Sequence, residues 1–83
     1  MRTIGYARSA AKQLLAITSR DRYRIQAKLL QYAANPKSLA NQVQALKGSP
    51  ALRLRVGDYR VIFSDDGMVL LILKVGHRRE VYD

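Results

Sequence analysis

The second half of the chain contains three apolar, strand-like segments separated by two short turn sequences. The segments cover residues 52–56, 59–64 and 68–75, and Gly57-Asp58 and Asp66-Gly67 stand between them. Glycine beside aspartate is favoured in two-residue hairpin turns because these turns need positive φ angles. The pattern therefore predicts a β-meander of three antiparallel strands, around which the rest of the chain has to fold.

The Gly57-Asp58 turn fixes the register of the first hairpin. Counting outward from it places Arg55 opposite Arg60, and the alternation of side chains then puts Arg53 on the same face as both. The opposite face is apolar and consists of Leu52, Leu54, Val56, Tyr59, Val61 and Phe63. Like charges opposite each other destabilise a strand pair by roughly 0.2–1 kcal/mol. We therefore expect the arginine face to bind an anion that neutralises it.

The first half of the chain predicts a short strand over 2–6 and a helical hairpin. Ser9 is expected to cap the first helix, and Ser19 or Asp21 the second. Apolar residues recur at helical spacing at Ala10, Leu14 and Ile17 (or Ala11, Leu15 and Thr18), and then at Ile25, Leu29, Tyr32 and Ala33. Pro36 should end the second helix, and residues 37–48 are expected to form a polar connection. Residues 1–83 are thus predicted to be a single α+β domain in which an N-terminal strand and a helical hairpin accompany a three- to four-stranded, mainly antiparallel sheet.

Charge and composition narrow the possible functions. Fifteen Lys and Arg against six Asp and Glu give a net charge of +9, which favours nucleic acid, an acidic protein or an anionic membrane as the partner. The chain has no cysteine and one histidine, so ordinary zinc or triad chemistry is excluded, and we expect no metal or cofactor. The longest apolar run, 68–73, is too short to span a bilayer. With no signal-like segment at the N-terminus, we expect a cytoplasmic protein that does not enter a membrane.

The C-terminal sequence "KVGHRREVYD" adds basic and aromatic side chains at the end of the last predicted strand and beyond it. The meander returns this strand beside Arg60, so the added side chains are expected to lie on the arginine face: Lys74, His77, Arg78, Arg79 and Tyr82. Arginine binds phosphate bidentately and tyrosine can stack on an unpaired base, a combination that suits single-stranded RNA. From the residues alone, the prediction is an anion-binding face for nucleic acid.

Two longer stretches of the sequence resemble a known protein family. "LKGSPALRLRVGDYRVIF" followed by "ILKVGHRREVY" resembles the RelE branch of the RelE/ParE toxin superfamily, the toxins of bacterial toxin–antitoxin pairs. The resemblance implies a microbial-ribonuclease-like fold and cleavage of mRNA in the ribosomal A site, without metal, by attack of a ribose 2′-OH on the adjacent phosphate. It also implies inhibition of translation, and a hetero-oligomer with an acidic antitoxin encoded nearby.

The resemblance assigns roles residue by residue. Arg53, Arg60, Arg78 and Tyr82 match catalytic positions of the family, with Tyr82 as base or stacking platform and Arg78 assisting the leaving group. Glu80 and His77 are minor alternatives for the proton transfer. RNA contacts are expected from Arg55, Lys74, His77 and Arg79. One family lysine is replaced by Ala51 in this sequence, and Arg55 on the same predicted face is expected to supply the missing charge.

Two other functions stay open at this point. A ParE-like toxin would share the fold and inhibit DNA gyrase without cutting nucleic acid, and a non-catalytic RNA-binding module would need only the basic face. The ParE branch generally lacks the tyrosine-ended basic segment, so "HRREVY" favours the nuclease.

Overall fold

The computed structural model describes residues 1–77, which form two α-helices packed on one face of a five-stranded mixed sheet. In chain order the elements are β1 (Thr3–Tyr6), α1 (Arg8–Ala16), α2 (Ser19–Ala34), a 3₁₀ turn (Pro36–Leu39), β2 (Val43–Ala45), β3 (Leu52–Val56), β4 (Tyr59–Asp65) and β5 (Val69–His77). The strands lie in the order β1-β5-β4-β3-β2. Within this part of the chain, no helix is both long and apolar enough to cross a membrane.

The sheet is larger than the three to four strands that we predicted. Residues 43–45, expected in a polar connection, form the edge strand β2, which pairs antiparallel with β3. Only Val43 in this segment favours a strand by composition, so the pairing comes from its tertiary contact with β3. At the other edge β1 runs parallel to β5. The two helices carry the chain from β1 to β2 at the opposite edge, and the antiparallel strands β2 to β5 then bring it back beside β1.

The register predicted for the first hairpin is confirmed. Val56 pairs with Tyr59 and Arg55 with Arg60 across a two-residue turn, in which Gly57 has a φ of 57°. The face predicted to be apolar packs on the helices, and Leu54, Val61 and Phe63 have no solvent exposure. The arginines therefore lie on the face of the sheet turned away from the helices, which we call the outer face.

The β4–β5 hairpin differs from the prediction in two ways. Asp65 pairs with Leu70, so the turn is centred one residue later than Asp66-Gly67. A β-bulge follows, because Phe63 pairs with Ile72 whereas Ile62 pairs with Lys74, which leaves Leu73 as an extra residue in β5. The bulge reverses the alternation of side chains in the remainder of the strand.

The cap residues of both helices differ from the predicted ones, whereas the buried faces of the helices agree with the prediction. Ala7, not Ser9, precedes α1 and makes no side-chain cap, and Thr18 caps α2 by accepting a hydrogen bond of 3.3 Å from the Asp21 N–H. Neither Ser19 nor Asp21 is the cap residue, since both already lie in the first turn of α2. The predicted core residues of α2 are buried: Ile25, Leu29, Tyr32 and Ala33.

The two aspartates before Gly67 stabilise the β4–β5 turn. Asp66 Oδ1 accepts hydrogen bonds from the N–H groups of Met68 and Val69. Asp65 accepts from the Gly67 N–H, from Arg2 Nε at 2.7 Å and from the Tyr32 hydroxyl at 3.2 Å. Burial alone would raise the pKa of Asp65, but these donors together hold that pKa below its ordinary value. The turn thereby ties the N-terminus and α2 to the sheet.

Candidate functional site

The outer face carries a cationic groove at the end of the sheet formed by β2, β3 and β4. Its volume is about 350 Å³, and its lining consists of arginines and amides: Asn41, Gln42, Gln44, Arg53, Arg55 and Arg60. The cross-strand pairing explains why these side chains meet. Arg55 lies opposite Arg60, and Arg53 lies between Gln44 on β2 and Ile62 on β4. The three arginines that the sequence placed on one face are therefore brought together.

Arg53 is the most constrained of the three arginines. It is partly buried, and its Nη2 donates a hydrogen bond to Gln44 Oε1 on the neighbouring strand. Burial and then the positive charge of Arg60 lower the pKa of Arg53 below its ordinary value. Both causes disfavour the charged form, and an anion in the groove would offset both. The electrostatics of the groove thus favour an anionic ligand.

Lys74 joins this face because of the bulge in β5. It pairs with Ile62, which in turn pairs with Arg53, so Gln44, Arg53, Ile62 and Lys74 form one row across the outer face. If β5 were paired without the bulge, Leu73 would lie opposite Ile62 and Lys74 would turn toward the helices. The structure therefore places Lys74 on the arginine face, as expected.

His77 does not share this face. It pairs with Tyr59, whose side chain belongs to the helix-facing side, and the two rings meet edge to face with centroids 5.9 Å apart. Gln13, Ala16 and Ile17 of the α1 region line the same cavity, which Lys74 also borders. The expectation that His77 lies beside the arginines is wrong, because the bulge reverses its direction. Arg78, Arg79 and Tyr82 lie outside the described residues, so their placement stays a prediction.

A small apolar cluster borders the cationic groove, and the sequence analysis missed it. Ala51 and Ile62 are buried on the outer face, and Leu46 and Leu73 pack against them. Ala51, the position where the resemblance expects a lysine, is thus part of an apolar contact. The sequence feature that could have indicated this cluster is Ile62, an apolar residue on a face predicted to be exposed to solvent.

The arrangement can bind and stabilise negative charge. Arginines donate to phosphate in fixed forks and stay protonated near neutral pH, so they stabilise anions but are poor bases. The amides of Asn41, Gln42 and Gln44 add neutral hydrogen-bonding groups along the same groove. These groups suit a phosphodiester, in which charge develops on the phosphoryl oxygens.

Comparison with known proteins gives a family and a fold. The ParE toxin family of type II toxin–antitoxin systems (parDE) matches residues 4–82. No curated protein sequence is significantly similar to the chain. A chain of the RelB–RelE antitoxin–toxin complex from Methanococcus jannaschii superposes with a TM-score of 0.76 and 25% identity, covering 95% of each chain.

Two Escherichia coli structures are also similar. YafQ superposes with a TM-score of 0.80 and 17% identity over 100% of both chains. A chain of the RelBE toxin–antitoxin complex superposes with a TM-score of 0.71 and 24% identity, covering 93% of this chain and 96% of the other. At these identities the two likenesses establish the fold, whereas the family match covers almost the whole sequence. The chain therefore belongs to the RelE/ParE superfamily and is a toxin of a type II toxin–antitoxin system.

Proposed function

We propose that this toxin is a metal-independent endoribonuclease that cleaves mRNA on the ribosome and thereby inhibits translation. The observation that carries the proposal is the cationic groove, in which Arg53, Arg55 and Arg60 line one cavity on the outer face. Lys74 extends the same positive surface along the row of Arg53. A polyanion that passes along this surface would contact all four cations.

The reaction is a transesterification at a phosphodiester. The ribose 2′-oxygen loses its proton to a base and attacks the adjacent phosphorus, while the bond from phosphorus to the 5′-oxygen breaks and that oxygen takes up a proton. The products are a 2′,3′-cyclic phosphate and a 5′-hydroxyl. Arg53 and Arg60 stabilise the charge on the phosphoryl oxygens. By family resemblance, Tyr82 acts as base or stacking platform and Arg78 assists the departing oxygen.

The composition of the groove explains the proposed dependence on the ribosome. Its lining is made of arginine and amide side chains, and none of these is an effective base at neutral pH. Chemistry at such a site relies on the RNA being held with the 2′-oxygen in line with the bond that breaks. The ribosomal A site supplies that orientation, and free RNA would be cut far more slowly.

The proposal includes an acidic antitoxin, encoded nearby, that neutralises the toxin in the cytoplasm as a hetero-oligomer. Similar chains have been solved in complex with RelB or DinJ antitoxins, and a net charge of +9 favours a partner of opposite charge. Co-expression with the adjacent reading frame should restore growth of cells that produce the toxin. A product of that frame that neither binds nor rescues would contradict this part of the proposal.

Cleavage of mRNA on programmed ribosomes tests the enzymatic function. Arg60→Ala should lower the cleavage rate by about 10²–10³, the usual cost of removing a transition-state charge stabiliser. Deleting Tyr82 and Asp83 should also abolish cleavage. Lys37→Ala, which removes an exposed cation in the 3₁₀ turn, is the matched control and should cleave at the parental rate. Circular dichroism should show that each variant is folded. Parental rates in Arg60→Ala and in the deletion variant would refute the assigned roles.

A second function is favoured by one specific observation. The family that matches residues 4–82 is that of the ParE toxins, so inhibition of DNA gyrase without nuclease activity is the alternative. A supercoiling assay with purified gyrase, run beside the ribosome assay, separates the two. Gyrase inhibition by a chain that leaves ribosome-bound mRNA intact would replace the nuclease proposal, and RNA binding without either activity would identify a binding module.

A further inference from the structure

Gln44 occupies a defined place in the cationic groove. It lies on the edge strand β2, pairs with Arg53 of β3 and is exposed to solvent. Arg53 Nη2 donates a hydrogen bond to Gln44 Oε1. Because a guanidinium group has donors and no acceptor, only the oxygen of the amide can face Arg53. This contact therefore fixes which end of the Gln44 amide is held by the protein.

The other end of this amide is a hydrogen-bond donor. Gln44 Nε2 carries two N–H groups, and within residues 1–77 the Gln44 side chain hydrogen-bonds only to Arg53. Gln44 also lines the cationic groove together with Arg55 and Arg60. The groove therefore contains an oriented, uncharged donor beside its arginines.

Gln42 lines the same groove but is not oriented in this way. Its backbone carbonyl accepts the Arg55 N–H, which continues the pairing of the two strands. Within residues 1–77 the side chain of Gln42 makes no hydrogen bond, so its amide can turn either its oxygen or its nitrogen toward a ligand. Of the two glutamines in the groove, only Gln44 is thus held with a fixed donor end.

A fixed uncharged donor can distinguish nucleobases, which the arginines of the groove do not do when they bind phosphate. The bases of single-stranded RNA expose their hydrogen-bonding edges. Uracil and guanine carry a carbonyl oxygen, O4 or O6, at the position where cytosine and adenine carry an amino group. An amide N–H bonds to the carbonyl oxygen, whereas at an amino group two donors would face each other. Such a donor favours keto bases over amino bases.

We propose that Gln44 is a specificity-determining residue, whose amide N–H binds the carbonyl oxygen of a uracil or guanine next to the phosphate held by the arginines. The inference rests on the proposed function in so far as RNA is the ligand of the groove, but it does not depend on cleavage. Arg53 then has two tasks, because it contributes charge to the phosphate site and also orients the Gln44 amide.

The test measures the affinity of the toxin for short fluorescent single-stranded RNAs with 2′-O-methyl groups, which cannot be cleaved. Oligouridylate and oligocytidylate have the same ring size and the same charge but differ in the keto or amino group. The parent should bind oligouridylate about fivefold more tightly, the effect expected of one uncharged hydrogen bond. A second pair, with hypoxanthine or adenine as the base, should show the same preference for the keto group.

Gln44→Glu is the decisive variant because it has nearly the same shape as the parent. Its carboxylate still accepts the hydrogen bond from Arg53, but the end that faces the ligand is now an acceptor. The preference for uracil over cytosine should therefore disappear or reverse. Gln42→Glu is the matched control, since it adds the same charge to the same groove. It should weaken both RNAs equally and keep the parental ratio. Circular dichroism should show that both variants are folded.

The ratio of the two affinities separates this inference from the proposed function. Equal affinities of the parent for keto and amino RNAs, or a parental ratio in Gln44→Glu, would overturn the role of Gln44 while the groove still bound RNA. The same loss of preference in Gln42→Glu would show that added charge is the cause, and would also overturn it. If the parent bound none of these RNAs, the proposed function of the groove would fail together with the inference.

Discussion

Arg55 and Arg60 are cross-strand neighbours of like charge, one on each side of the Gly57-Asp58 turn. The turn sequence fixes this pairing, so the arrangement was predictable from the sequence. The effect of Arg60 on the pKa of Arg53 indicates that the charges of this face repel one another. The proposed binding of RNA phosphates by this face requires these charges to lie close together, which would account for an arrangement that a purely structural strand would avoid.

At the residue scale, replacing Arg55 should weaken the binding of RNA without lowering the stability of the fold. Arg55→Thr should leave the free energy of unfolding unchanged or raise it by up to about 1 kcal/mol, because it removes the like-charge pair. Binding of single-stranded RNA should weaken. Arg53→Thr is the control, since it loses the hydrogen bond to Gln44 and should not gain stability. Chemical denaturation and RNA titration measure the two quantities. A clear loss of stability in Arg55→Thr would show that this arginine is structural.

Asp65 should make the stability of the protein depend on pH. Its pKa is lowered in the folded state, so the folded protein binds a proton at this carboxylate less readily than the unfolded chain. The stabilisation is therefore complete above the unfolded value of about 3.9 and is lost as the pH falls through the lower folded value. Thermal unfolding between about pH 6 and pH 3 should show a smaller decrease in Tm for Asp65→Asn than for the parent. Asp58→Asn, at an exposed turn residue, is the control, and equal decreases in all three proteins would contradict the prediction.

At the scale of elements, strong local signals identified α2, β3 and β4, whereas features that depend on tertiary contacts were missed. Strand β2 has a weak sequence and forms because β3 offers it an open edge. The bulge in β5 could not be predicted because residues 68–73 are all apolar. The sequence therefore shows no apolar–polar alternation that would reveal where the side chains change face. The arginines of the site were found because alternation in β3 is clear, and His77 was misplaced because it follows the bulge.

A side-chain hydrogen bond from helix α1 to strand β5 takes the place of a strand partner beyond the end of β1. Strand β1 ends where the Ala7 N–H bonds Ile72 O, and beyond that point Gln13 Oε1 accepts the Val75 N–H at 2.7 Å. Gln13→Leu should lower the free energy of unfolding by about 1–3 kcal/mol, because it leaves this partly buried donor without an acceptor. Amide hydrogen exchange at Val75 should accelerate. Lys12→Leu, at the exposed neighbouring residue, should change neither quantity, and an unchanged exchange rate in Gln13→Leu would exclude the role given to Gln13.

At the scale of the whole molecule, the positive side chains that give the net charge of +9 are concentrated in particular regions of the surface. Four cations lie on the outer face, at Arg53, Arg55, Arg60 and Lys74. Three others, at Arg20, Arg24 and Lys28, lie along α2. We propose that the first group binds RNA, whereas the second group lies on a helix packed on the opposite face of the sheet. The positive charge is thus distributed over both sides of the sheet.

The affinity for RNA should therefore depend steeply on salt. If all four cations of the outer face contact phosphates, the logarithm of the binding constant should fall with the logarithm of the salt concentration with a slope of about −3, since each contact on a single strand contributes about 0.7. Arg55→Thr should reduce the slope by about 0.7, and Lys37→Ala should leave it unchanged. Fluorescence titrations at several salt concentrations measure these slopes, and equal slopes for Arg55→Thr and the parent would remove Arg55 from the RNA contacts.

The single extra residue in β5 makes this strand tolerant of a change of length at one position. The turn sets which side chains face outward up to Ile72, and the bulge sets it again from Lys74 to His77. Because Lys74 already lies opposite Ile62, removing Leu73 would join Ile72 to Lys74 in regular alternation and leave Lys74, Val75 and His77 on their present faces. Removing a residue at a regular position of a strand turns every following side chain to the other face, so Leu73 is a position at which the length of β5 can vary without exchanging core and surface.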